Sequence, residues 1–132
     1  MTTTPATFSG PAIRGILFDF GNVICTFDNR RILAALAPLC GQPPEVLERL
    51  IQSSDLPTTY ETGAITSQEF LAGMSSLCGH ALSEAAFVPA FTDIFTPIAP
   101  TFELIRHLKP KYRLGLVSNT NPWHAEHVIR TT

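Results

Sequence analysis

Asp19 closes the apolar run Ile16-Leu17-Phe18, and Ser118-Asn119-Thr120-Asn121 closes a second one that ends at Val117. A carboxylate at the end of a buried strand suits a nucleophile or an oxygen ligand for a hard cation. A Ser hydroxyl followed by amide groups suits the grip on an anion. Each feature alone also has a plain structural reading, since Asp, Ser and Asn are ordinary turn residues. The pair, in this order along the chain, is what favours chemistry. Other reactive groups carry less. His124 and His127 are three apart on a predicted helix with Glu126 between them, a zinc-like spacing for which no third ligand is evident, so they read as partly exposed helix histidines. Arg30-Arg31 divides evenly between meeting a substrate anion and a solvated helix start. Cys25 reads as a small buried thiol, and Trp123 either walls the site or packs on the sheet. Lys109 and Lys111 read as solvated charges flanking a strand.

The elements that must position Asp19 and Ser118 follow from periodicity. Residues 13–20 form a short run apolar on both faces, the pattern of a buried parallel strand, and Gly21-Asn22 turns the chain at its carboxyl end. From about residue 29 the period becomes helical. Ile32, Leu33, Leu36, Leu39 and Cys40 share one face, ended by Gly41 and Pro43-Pro44; Val46, Leu47, Leu50 and Ile51 form a second stripe. Thr66-Ser67-Gln68-Glu69 has the capping-box pattern ahead of Phe70, Leu71, Met74, Leu77 and Cys78, with Gly79 closing that helix. A fourth helix carries Phe87, Phe91, Ile94 and Phe95, with Pro89 expected in its first turn. Phe70, Phe87, Phe91 and Phe95 read as the core of this four-helix group. Thr101 is expected to cap a helix bearing Phe102, Ile105 and Leu108 that Pro110 stops; residues 112–117 form the second buried strand, and Pro122 opens a helix over 123–129. With the helical group set aside, a βαβα unit of a doubly wound α/β fold remains. In such sheets ligands bind beyond the carboxyl ends of the strands, where Asp19 and Ser118-Asn119 stand.

Composition narrows the function classes. The 132 residues are 45% hydrophobic and 15% charged, enough to fill a core. Nine basic against eleven acidic side chains give a formal charge of −2, which leaves no surplus to neutralise a nucleic-acid backbone. No apolar run reaches membrane-spanning length. The three cysteines, Cys25, Cys40 and Cys78, lack any CxxC pair and read as reduced thiols in a cytoplasm. Residues 1–12, rich in Thr, Pro and Ala, read as a loose tail that is neither a secretory nor a transit signal.

At this point Phe18-Asp19-Phe20-Gly21-Asn22-Val23-Ile24 and Leu116-Val117-Ser118-Asn119 resemble the first two motifs of the haloacid dehalogenase superfamily, in particular its sugar-phosphate phosphatase-like branch. The likeness covers nearly all of the chain after the tail. It implies a Rossmann-like parallel-sheet core, residues 13–28 and 98–132, with an inserted α-helical cap at 29–97. It implies an Mg²⁺-dependent phosphatase of a small phosphorylated metabolite acting through an aspartyl-phosphate. Asp19 would be the nucleophile, Asp19 and the Gly21 carbonyl the metal ligands, and Ser118, Asn119 and Asn22 the phosphate binders, aided by the N-terminus of the helix near Pro122. Two departures stand out. The family's second Asp, the acid–base group, is replaced by Gly21, a loss worth roughly 10²–10⁴-fold in rate. The family's Lys and later acidic pair have no counterpart before Thr132, so the chain is expected to be the first part of a longer protein. Two alternatives therefore stay open: a metal-independent 2-haloacid dehalogenase, whose branch also lacks the second Asp, and a truncated, non-catalytic chain. Substrate identity and oligomeric state are not legible.

Overall fold

Gly15–Phe18 (β1) and Arg113–Leu116 (β4) lie side by side as parallel strands in a computed structural model that describes residues 12–132. The tail expected at residues 1–12 lies outside the described residues except for Ala12. Both strands are shorter than the sequence predicts, and they alone form this sheet among the described residues. That is why the expected burial on two faces fails: on one face Leu17 is 71% exposed and Val117 59%. The opposite face packs through Phe18 onto a cluster of Phe20, Ile24 and Cys25, backed by Phe102 and Ile105.

Cys25–Phe27 (β2) pairs antiparallel with Phe95–Pro97 (β3), a ribbon that sequence period did not reveal because each strand has three residues. Between these strands run Arg30–Cys40 (α1), Pro44–Gln52 (α2), Leu56–Glu61 (α3), Ser67–Cys78 (α4) and Glu84–Thr92 (α5). The chain thus leaves and returns through adjacent strands. Five helices replace the four expected; α3 spans under two turns and is too short to show a stripe. Pro89 lies inside α5, not in its first turn, and Thr101 lies within the first turn of Ala99–Leu108 (α6), whose N-cap is Ile98. The predicted caps of α1 and α4 form. Gly41 and Gly79 take left-handed backbone at φ 64° and 76°, which a glycine adopts without strain. Thr66 Oγ1 accepts the Glu69 N–H at 3.1 Å while the Glu69 carboxylate accepts the Thr66 N–H at 2.7 Å.

The helices enclose the larger core, with Leu36, Leu47, Tyr60, Phe70, Met74 and Phe87 buried at its centre. Phe95 belongs instead to the smaller cluster, its ring edge-on to Phe20 at 5.5 Å. Cys40 and Cys78 form a disulfide across the ends of α1 and α4, which overturns their reading as separate reduced thiols. The two lie 38 positions apart, and only helix packing brings them together. Cys25 is the free, buried thiol, and burial raises its pKa. Pro122–His127 (α7) and a 3₁₀ turn at Ile129–Thr131 end the chain. Among the described residues no helix is long and apolar enough to cross a membrane.

Candidate active site

The register pairs Phe18 with Leu116, so both strands deliver their next residues to the same end of the sheet. The Val117 N–H donates to the Phe18 carbonyl at 2.9 Å and carries the pairing one step further. Asp19 and Ser118 therefore emerge side by side. With Gly21 and Asn119 they line one open cavity of about 390 Å³, whose remaining wall includes Phe18 and Phe27. Asp19 is exposed, and its Oδ1 accepts the Phe20 N–H at 2.7 Å, which fixes the carboxylate at the strand end. The Ser118 hydroxyl has only a 3.5 Å approach to the Asn119 carbonyl, beyond ordinary O–H···O range.

The loop after Asp19 is held by its own backbone. The Phe20 carbonyl accepts the Ile24 and Cys25 N–H groups at 2.9 and 3.1 Å, and the Asn22 N–H reaches the Cys25 carbonyl at 2.7 Å. Asn22 sits at φ 59°, a left-handed corner that asparagine tolerates better than most residues. That corner occupies Asn22 in chain reversal, and it does not line the cavity with Asp19, Gly21, Ser118 and Asn119. Gly21 faces the Phe27 ring so closely that a Cβ there would lie 3.0 Å from Cε1. A side chain at this position would require the Phe27 ring to give by a few tenths of an ångström.

Helix α7 follows the second strand end, but its first amide groups are already engaged. Trp123 N–H donates to the Tyr60 hydroxyl at 3.2 Å, and His124 N–H donates to Asn121 Oδ1 at 2.9 Å. The helix terminus expected to favour a phosphate is thus used internally. Trp123 neither walls the site nor packs on the sheet; it inserts among Tyr60, Phe70, Phe87 and Phe91 of the helical core. His124 is buried rather than partly exposed. Its Nδ1 lies 3.0 Å from Asn121 Nδ2, which can only donate, so Nε2 carries the proton and donates to the Phe91 carbonyl at 3.0 Å. Burial lowers its pKa, the Phe91 carbonyl partly opposing that shift, and the ring stacks on Phe91 at 4.6 Å. Among the described residues no group of three His, Cys, Asp or Glu could hold a metal. Arg30 forks onto Asp28 at 2.9 and 3.0 Å, and Arg31 pairs with Asp93 at 3.0 Å; the Arg30 contact holds the Asp28 carboxyl below its usual pKa. Neither arginine lines the cavity.

Beyond Gly21, Phe27, Ser118 and Asn119, a second space of about 160 Å³ continues past Thr120 to Asn29, Glu61, Asn121 and His124. Those last four also line a third, about 310 Å³, that runs between the helices. Periodicity singled out neither Glu61 nor Asn29, because one sits on the short α3 and the other on a connecting turn.

No family model matches the chain. It is 27% identical over 112 residues to D-ribitol-5-phosphate phosphatase of Bacteroides thetaiotaomicron, which covers 84% of this chain and 54% of that protein. A HAD-family enzyme from the same organism, solved with magnesium and inorganic phosphate, superposes with a TM-score of 0.77 over 92% of this chain and 60% of its own, at 24% identity. A HAD-like family hydrolase from Porphyromonas gingivalis gives 0.69 over 84% of this chain and 53% of its own, at 28% identity. The chain resembles the haloacid dehalogenase-like hydrolases in sequence and in fold. Its mixed α/β structure with a parallel β1–β4 pair corresponds to their Rossmann-like core, and it spans about half the length of the curated relative it matches. For a haloacid dehalogenase-like site, the donors here are hard: the Asp19 carboxylate and the Gly21 backbone share one cavity wall. Two oxygen donors with water completing the shell suit Mg²⁺.

Proposed function

We propose that the protein from which this chain comes is a phosphatase-type hydrolase of a small phosphorylated metabolite, with residues 29–97 forming a helical cap over the core. The observation that carries this reading is the convergence of Asp19, Gly21, Ser118 and Asn119 on one cavity at the ends of paired parallel strands. The Asp19 carboxylate attacks phosphorus, the bond to the leaving oxygen breaks, and an aspartyl-phosphate forms that water then hydrolyses. Ser118 donates its hydroxyl hydrogen to a phosphoryl oxygen, and the Asn119 N–H supplies a second donor. Asp19 and the Gly21 carbonyl would hold Mg²⁺, which screens the repulsion between carboxylate and phosphate dianion. Gly21 carries no proton, so acid–base help must come from elsewhere or from a good leaving group.

The reading is tested with a panel of phosphate monoesters and 2-haloacids, with and without Mg²⁺, in parallel with Asp19→Asn. Phosphate release that requires Mg²⁺ and disappears in Asp19→Asn supports it; on this 132-residue chain the corresponding readout is Mg²⁺-dependent binding of inorganic phosphate that Ser118→Ala weakens. Halide release without metal favours the dehalogenase alternative. Phosphate release that survives Asp19→Asn removes the nucleophile assignment.

A further inference from the structure

The two chain segments that meet at Asp19 are held in different ways. The loop after Asp19 is pinned by backbone bonds that converge on the Phe20 and Cys25 carbonyls. The loop after β4 has no such support. Its upstream end is fixed where the Val117 N–H donates to Phe18, and its downstream end where the Asn121 carbonyl accepts the Ala125 N–H. Between them, residues 118–120 make no backbone–backbone hydrogen bond among the described residues. The Ser118 and Thr120 hydroxyls add only 3.5 Å approaches to the next carbonyl along the chain. The positions of Ser118 and Asn119 are therefore set from the loop's ends, and the downstream end is the buried Asn121.

His124 grips both atoms of the Asn121 amide. Asn121 Oδ1 accepts the His124 N–H at 2.9 Å, and Nδ2 donates to His124 Nδ1 at 3.0 Å. The far ring nitrogen, Nε2, donates to the Phe91 carbonyl at 3.0 Å, near the end of α5. One imidazole thus ties the loop after β4 to the helical segment. The count of donors fixes its protonation state. An imidazolium carries a proton on each nitrogen, so Nδ1–H would face the Asn121 NH₂. Turning the amide over offers Oδ1 to that proton but sets the NH₂ against the His124 N–H. Either way a buried donor loses its acceptor, so only the neutral ring closes the clamp.

The surrounding titratable groups do not offer the ring another acceptor. Glu61 of α3 lines both spaces that His124 lines, and Glu48 of α2 and the Tyr60 phenol line the larger one. Beyond the last turn of α5, Asp93 is paired with Arg31. Glu126 and His127 on α7 and Arg130 in the 3₁₀ turn are exposed. The ring nitrogens bond to Asn121 and Phe91 instead.

We propose that His124 is a positioning residue for the anion site. When neutral it holds Asn121 and keeps Ser118 and Asn119 beside Asp19; when protonated it frees the loop and weakens the grip on phosphate. This rests on the phosphatase reading, which assigns Ser118 and Asn119 to the phosphate. Burial favours the neutral ring, so release falls on the acid side of about pH 6.5.

The test joins NMR and phosphate binding on the 132-residue protein. The His124 ring nitrogens should show the Nε2–H tautomer at neutral pH and titrate with a midpoint below about 6.5, with Trp123 fluorescence still that of the folded chain. The Ser118 and Asn119 amide signals should shift with the same midpoint. Affinity for inorganic phosphate with Mg²⁺ should fall about tenfold across that midpoint relative to His124→Gln, the worth of one hydrogen bond. The glutamine does not titrate, so the ratio cancels the ionisation of phosphate itself. Asn121→Asp is the second variant, and it keeps the test decisive if His124→Gln fails to fold. Its carboxylate accepts both the His124 N–H and Nδ1–H, so the ring midpoint should rise and the loop should stay closed on the acid side. A ring that remains neutral until the chain unfolds, Ser118 and Asn119 amides that ignore its titration, or a midpoint that Asn121→Asp does not raise overturns the clamp and leaves the phosphate site standing. Phosphate that binds at no pH overturns the assignment of Ser118 and Asn119 to phosphate, and this inference with it.

Discussion

Tyr60→Phe isolates the joint between the helical segment and the second strand end. The phenol lies 2.6 Å from Ser67 Oγ and accepts the Trp123 N–H at 3.2 Å. The ring itself stacks on Phe70 at 4.3 Å and meets Trp123 edge-on at 5.8 Å, contacts that phenylalanine keeps. The substitution therefore removes two hydrogen bonds worth about 1 kcal/mol each and leaves a buried first-turn amide of α7 without a partner, which together amount to about 2–3 kcal/mol. With a urea m-value of about 1.5 kcal/mol/M, the midpoint should fall by roughly 1.3–2 M. Trp123 is the single tryptophan, so its fluorescence reports the transition from inside this joint. Hydrogen exchange of the Trp123 amide supplies a local readout and should speed up by more than the global loss accounts for. An unchanged midpoint with a still-protected Trp123 amide would refute the assignment of that donor to Tyr60. A Ser67→Ala variant, alone and combined with Tyr60→Phe, measures how much of the loss belongs to the phenol–serine bond.

Core and sheet should respond oppositely to truncation. Leu36→Ala, at the centre of the helical core, is expected to cost about 2–5 kcal/mol in denaturant unfolding, whereas Leu17→Thr on the bare sheet face should stay within about 0.5 kcal/mol. His124 predicts a pH dependence of definite sign. Its folded-state pKa is depressed by burial, so the unfolded chain binds the extra proton first and stability is lost as pH falls below about 6.5. His124→Phe should flatten that part of a melting-temperature profile, and an unchanged slope would assign it to other groups. Thiol titration in denaturant should find one reactive cysteine before reduction and three after it. Cys78→Ala, which opens a loop of 38 residues, should lower stability by about 3–4 kcal/mol. Three thiols without reductant would remove the bridge from the fold.

The sequence by itself determined the parts whose physics is local. Apolar runs and turn residues located β1 and β4, and Asp19 and Ser118 at their ends, because strand burial and chain reversal are written in neighbouring residues. The Thr66–Glu69 box and the glycines at 41 and 79 located helix ends for the same reason. The tertiary structure decided what depends on residues far apart in the chain. Packing of both α1 and α4 on α2 brings Cys40 to Cys78, and α7 meets the helical segment where Tyr60 receives the Trp123 amide and Phe91 receives the His124 ring. Those two contacts turn a surface-helix pattern into a buried joint and use the helix N-terminus that a local reading assigns to a ligand. The sheet shows the same division. The residues of β1 encode burial on both faces, but cover for a face comes from other elements, and among the described residues none lies over Leu17 and Val117. Periodicity names a face to be covered; only the assembled chain decides whether anything covers it.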